Sequence, residues 1–113
     1  MEIWIEEQIK ELFDLDIRFN DREVCNGVEL DIYIPRLKLA FELNGIFHYS
    51  PVFGDDKLKV IEDRDLRKIS ECVVKEIDLV VIDTSGSKNF DKIKDKKYLD
   101  YIIYRINEKL ETN

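Results

Sequence analysis

Asp31 and Glu42 are the residues whose placement invites chemistry, because both fall on the same side of a predicted hairpin, between apolar residues that face the other way. Val28, Leu30, Ile32 and Ile34 alternate with Glu29, Asp31 and Tyr33, the period of a half-buried strand. After Pro35-Arg36 the alternation resumes, with Leu37, Leu39, Phe41 and Leu43 on one face and Lys38, Ala40, Glu42 and Asn44 on the other. A two-residue connection at Pro35-Arg36 predicts pairing of Ile34 with Leu37, Ile32 with Leu39 and Leu30 with Phe41. In that register Asp31 lies opposite Ala40, with Glu42 as its diagonal neighbour roughly 7 Å away. Brought to about 4 Å at an effective dielectric near 20, two carboxylates repel by roughly 4 kcal/mol. Either one acid then stays protonated or a cation sits between them; a pair facing solvent on an open sheet needs neither. Mg²⁺ is a natural cation for such a pair, since it uses one or two carboxylates and keeps several waters.

Close behind comes the only histidine, His48, just after the Asn44-Gly45 turn signal. A lone histidine serves structure or proton transfer, and one in a polar turn beside two acids is placed for the second. The block ELDIYIP…FELNGIFHYS resembles the PD-(D/E)xK nuclease superfamily, with an acid on one strand and another acid two residues before a third polar group on the next. Within it, the chain is similar to the branch of very short patch repair and phage homing endonucleases, whose constellation is E-D-x-H-D. The resemblance spans roughly Glu6 to Asp83.

That resemblance implies a Mg²⁺-dependent DNA endonuclease, with Mn²⁺ as a substitute ion, on a restriction-endonuclease-like α/β core. It implies Asp31, Glu42 and the Leu43 backbone carbonyl as metal ligands. His48 would act as general acid or base, or orient the nucleophile. Asp65 matches the second acid, holding His48 or a metal-bound water, and Glu6 matches the acid of the first helix. One departure matters: Asn44 stands where the superfamily usually has lysine. Some members carry that lysine on the following helix, where Lys68 could supply it. The alternative is a non-catalytic nucleic-acid-binding or assembly module that retains the nuclease fold, and an RNA substrate is not separated from DNA.

Positioning these residues requires seven elements in the order α-β-β-β-α-β-α, giving a mixed sheet of about four strands flanked by helices. Residues 2–14 form the first helix, with Ile5, Ile9, Leu12 and Phe13 as its apolar stripe and Glu6 at the stripe's edge. Residues 16–20 read as a short strand, and Asn26-Gly27 turns the chain into the strand of Asp31. Residues 49–56 read as a loop in which Tyr49 and Phe53 stack on a base or fold onto the domain. Asp55 or Asp56 caps a helix running to about Glu76, with Leu58, Ile61, Ile69, Cys72 and Val73 as its expected buried face. Asp65 and Lys68 share that stripe, and burial of a charge requires a partner. Residues 77–83 suit a strand covered on both faces. The last helix, about 96–110, carries Leu99, Ile102, Ile103, Ile106 and Leu110 inward, with Tyr101 and Tyr104 outward as a candidate homodimer or higher-oligomer contact.

The 113 residues bound one domain, 1–113, with a core of its own. No apolar run is long enough to span a membrane, and the acidic, amphipathic N-terminus is unlike a secretory or transit leader. Cys25 and Cys72 lack metal-site spacing, so reduced thiols of a cytoplasmic protein are expected, in a host cell if phage-encoded. The net charge of −7 argues against non-specific DNA binding by the whole surface. Two lysine-rich stretches, 57–68 and 88–97, are interleaved with acids and read first as solvated faces.

Overall fold

The computed structural model describes residues 1–44, 66–84 and 89–112. His48, Asp65, the Tyr49–Phe53 loop, the Asp55 or Asp56 cap, Leu58, Ile61 and Lys88 lie outside the described residues. The chain runs through α1 (Glu2–Leu12), β1 (Arg18–Asp21), β2 (Leu30–Ile34), a 3₁₀ turn (Pro35–Leu37) and β3 (Leu39–Asn44). It continues through α2 (66–74 as described), β4 (Asp78–Asp83) and α3 (Lys96–Thr112). The expected element order is present, as an α/β fold on a four-stranded mixed sheet. Strand order is β1-β2-β3-β4, antiparallel except that β4 joins β3 in parallel.

Two apolar clusters flank the sheet, and strand alternation dictates most of their membership. Ile32, Ile34, Leu39, Phe41, Val80 and Ile82 face α1 through Ile5 and Ile9, and α3 through Tyr98, Leu99, Ile102 and Ile106. Tyr33 and Ala40 face the other way, with Leu30, Cys25, Ile77 and Cys72 of α2. Burying each large aliphatic side chain is worth about 1.5–3 kcal/mol, so the α1–α3 side carries most of the packing.

Three expectations are corrected. The hairpin register is shifted by two, pairing Ile34 with Leu39, Tyr33 with Ala40 and Ile32 with Phe41. Proline explains it: two-residue hairpins need φ > 0 at their first position, which Pro35 cannot adopt. Pro35–Leu37 therefore make a 3₁₀ turn, closed by Lys38 at φ 49° with its N–H donating to the Pro35 carbonyl at 3.1 Å. Next, α2 turns Lys68 and Cys72 toward the sheet, while Leu66, Ile69, Val73 and Val74 are exposed. Finally, β4 is not covered on both faces, because Val81 is 46% exposed. Smaller differences fall at element ends: α1 stops at Leu12, which is exposed, as Leu110 is on α3, and β1 begins at Arg18.

Tyr101 and Tyr104 lie on the outer side of α3 as expected; Tyr101 accepts a hydrogen bond from Arg105 at 3.1 Å. No helix among the described residues is long and apolar enough to cross a membrane.

Candidate active site

A shift of two keeps every side chain on its face, because the strand period is two, yet it changes which side chains meet. With Ile32 paired to Phe41, Asp31 comes directly opposite Glu42 rather than diagonal to it. The two strands exchange bonds at this point through side chains. The Asp31 N–H donates to Glu42 Oε1 at 3.2 Å, and the Leu43 N–H donates to Asp31 Oδ2 at 2.9 Å. Backbone N–H groups must find acceptors when removed from water, and here the two acids supply them across the hairpin. This reciprocal arrangement fixes both carboxylates relative to the backbone. The neighbouring strand is distorted at the same level, since Asn20 takes φ 54° between the pairs Phe19–Ile32 and Asp21–Leu30.

Lys68 completes the site. Its Nζ lies 2.6 Å from Glu42 Oε2, with the two side chains only 16% and 7% exposed. Such a charge-assisted bond is short and strong, and it accounts for a lysine on the inward face of α2. The docking of α2 is otherwise polar: Asn26 Nδ2 donates to Glu71 Oε2 at 3.1 Å, and Arg67 Nη2 donates to the Asn26 carbonyl at 3.1 Å. Cys72, one turn beyond Lys68, supplies the fully buried contact against Cys25. Both thiols are reduced, and burial pushes Cys72 up to about 12, which keeps it protonated and unreactive.

Burial first, and the charge of Asp31 second, push the Glu42 carboxyl above its ordinary value, with Lys68 opposing both. The first helix adds acid to the same field. Glu6 is raised by burial and by Asp31, against the pull of Lys10. Glu2 is raised by burial, then by Asp31, Glu6, Glu29 and Glu42. Glu2 thus feels both sheet acids, and sequence reasoning missed it. The signal was available, because Glu2 and Glu6 are i, i+4 and share one edge of the helix. Asn20 ties Glu2 to the sheet: with its amide nitrogen turned toward the acceptors, it donates to Glu29 Oε1 at 2.7 Å and to Glu2 Oε1 at 3.3 Å.

Of the sequence candidates, the structure brings together Asp31, Glu42, Leu43 and Lys68, with Glu6 in the surrounding field. Asn44 ends β3 in parallel register with Asp83. His48 and Asp65 lie outside the described residues. Among the described residues no group of three or more His, Cys, Asp or Glu side chains is arranged to hold a metal. Two adjacent carboxylates nevertheless offer the oxygen-donor chemistry that a hard ion retaining its waters takes, and burial together with the charge of Asp31 outweighs Lys68 in raising Glu42. No protein-family profile, curated protein or solved structure matches this chain.

The raised acids give a prediction with a definite sign. A carboxyl whose folded value exceeds its unfolded one binds more protons when folded, so stability rises as pH falls through that window. In EDTA the melting temperature should therefore increase from pH 7.5 down toward the ordinary glutamate value of 4.5. Glu2 and Glu6 act in the same direction. Asp31→Asn should flatten the profile by removing a cause common to all three. A wild-type melting temperature that is constant or falls across this range would show that these acids are not strained.

Proposed function

We propose that this chain is a Mg²⁺-dependent endonuclease that hydrolyses phosphodiester bonds in DNA. The observation that carries the reading is the reciprocal Asp31–Glu42 pair, locked by Asp31 N–H to Glu42 and Leu43 N–H to Asp31, with Lys68 against it. Asp31, Glu42 and the Leu43 carbonyl are the residues that would hold the ion. When bound, Mg²⁺ polarises a phosphoryl oxygen and lowers the pKa of a coordinated water.

The chain's own contribution is orientation and charge. The two cross-strand bonds hold both carboxylates in place, so little rearrangement is needed on binding. Lys68 supplies fixed positive charge beside Glu42, suited to negative charge that builds on phosphorus as water attacks and the ester oxygen leaves. His48 is proposed to move the proton and Asp65 to hold His48, on the strength of the sequence pattern. Glu6, with Glu2 beside it, sets the potential on the α1 side.

A second reading has one observation of its own. Lys68 already provides a counter-charge for Glu42, and Asn44 occupies the usual lysine position, so the pair could lock a non-catalytic module. Mg²⁺ separates the two readings. A ligand that binds the folded state alone stabilises it by RT ln(1 + [L]/Kd), about 1.4 kcal/mol at ten times Kd. Ten-millimolar-range Mg²⁺ should raise the melting temperature of the wild type by several degrees and leave Asp31→Asn unmoved. A wild type indifferent to Mg²⁺ would favour the module.

A further inference from the structure

The segment from Asp91 to Lys97, DKIKDKK, carries four lysines against two aspartates in a protein of net charge −7. The structure separates these charges. Asp91 Oδ1 accepts the N–H of Ile93 at 2.9 Å and that of Lys94 at 3.4 Å, and Asp95 Oδ2 accepts the N–H of Asp91 at 3.2 Å. Asp95 is almost wholly buried. Both acids are therefore turned onto the backbone of the turn, while Lys92, Lys94, Lys96 and Lys97 are exposed.

None of the four makes an ion pair with a carboxylate among the described residues, in contrast to Lys38, Lys68 and Lys109, which meet Glu76, Glu42 and Asp78. Lys97 rests over the Tyr98 ring with its Nζ 5.1 Å from the centroid. Ile93, 89% exposed, sits at the tip between two of the lysines. Positive charge in the first turn of α3 opposes the helix macrodipole, so the lysines do not serve the helix that bears them.

The patch lies toward the same strand ends as the acid pair, with α3 on the sheet face opposite to the one where Glu42 meets Lys68 of α2. Glu42 to Asn44 run in parallel register with Val81 to Asp83. Helix α3 then returns along β4, as Arg105 and Lys109 reach Asp78 at the strand's beginning. Its lysine-bearing end is thus at the far end of β4, beyond Asp83. Phe90 packs against Trp4 of α1 with ring centroids 5.3 Å apart and the planes tilted by 54°, two residues along the helix from Glu2, which feels Asp31 and Glu42.

We propose that Lys92, Lys94, Lys96 and Lys97 form a surface that binds the phosphate backbone of duplex DNA and carries it past the strand ends toward the acid pair. This deepens the nuclease reading and rests on it for the identity of the polyanion. Segregated charge lets an acidic protein bind one locally, because the potential at the patch rather than the net charge governs contact. Backbone binding of this kind is sequence-independent and salt-dependent, with a slope of about −0.9 in log K against log salt per phosphate neutralised.

The test is fluorescence anisotropy of a short fluorescein-labelled duplex in EDTA over a salt series. Wild type is compared with the combined Lys92→Ser, Lys94→Ser, Lys96→Ser and Lys97→Ser variant, and with the same four positions changed to Arg. The Ser variant should lose up to about 3.6 units of salt slope, about 0.9 for each lysine, and bind tenfold or more weakly at low salt. The Arg variant should bind as wild type does, and thermal melting should show the Ser variant folded. Equal affinity and slope for wild type and the Ser variant would overturn the surface. Lysine-dependent binding to phosphatidylserine vesicles in preference to the duplex would also overturn it. Plasmid nicking in Mg²⁺ keeps the two proposals apart. A Ser variant that nicks like wild type removes the surface and leaves the nuclease, whereas lysine-dependent binding without any nicking by wild type leaves the surface and removes the nuclease.

Discussion

Asp31→Asn should leave no measurable nicking of plasmid DNA in Mg²⁺ and should, in the absence of metal, melt at a higher temperature than the wild type. The opposite signs are the point of the experiment. Asparagine retains an oxygen that can accept the Leu43 N–H now bound by Asp31 Oδ2 at 2.9 Å, so the cross-strand bond survives. What disappears is charge. A bound ion contributes several kcal/mol of transition-state stabilisation, and at 1.36 kcal/mol per decade a loss of about 4 kcal/mol is a thousandfold in rate. In the metal-free protein, the same change removes the second cause of the raised Glu42 carboxyl. Relief of about 1 kcal/mol corresponds to roughly 4–8 °C in a domain of this size. An Asp31→Asn protein that cuts at the wild-type rate would remove the acid from the chemistry. Equal inertness of both proteins on single-stranded, duplex and branched DNA would replace the enzyme with the binding module.

The acid pair was legible in the sequence because side-chain parity does not depend on register. Ile32, Ile34, Leu39 and Phe41 share the α1–α3 face and Tyr33 and Ala40 the other, as alternation alone requires. Register itself depends on the turn, and the two-residue connection neglected what a proline ring forbids. Correcting that single point moves Glu42 from the diagonal to the position facing Asp31. The helix after β3 was harder to read for a different reason. Periodicity shows which residues share a face, but not which face turns inward. The polar side of α2 docks, because Glu42 offers Lys68 a partner and Asn26 meets both Arg67 and Glu71, while Ile69 and Val73 stay in solvent. Glu2 was not legible because the resemblance calls for a single helical acid, which Glu6 already supplies, although Glu2 lies one turn away on the same edge of α1.

Lys68→Met offers the sharpest separation of structure from chemistry at this site. Methionine keeps an apolar stem that packs in place of the lysine chain, so the substitution deletes little more than the ammonium group 2.6 Å from Glu42. Breaking a buried pair by removing one partner costs about 3–5 kcal/mol, because the other charge is left uncompensated. Glu42, already raised by burial and by Asp31, should respond by taking up a proton, which limits the loss toward the lower end and makes it smaller at pH 5 than at pH 8. Changing both partners, with Glu42→Gln added, should recover much of the stability, since two neutral groups leave no buried charge behind; the double-mutant cycle measures the coupling directly. Mg²⁺ then distinguishes the roles of the lysine. With the competing cation gone from Glu42 Oε2, Lys68→Met should gain more melting temperature from Mg²⁺ than the wild type does. Its cleavage rate at saturating Mg²⁺ should nevertheless fall by about 10²–10³, the range for removing a preorganised electrostatic group. Recovery of the full rate once metal is bound would mean that Lys68 is only a counter-ion in the metal-free protein. A Lys68→Met protein that melts like the wild type in EDTA at neutral pH would show that α2 does not hold Lys68 against Glu42, and the charge arrangement of the site would have to be redrawn.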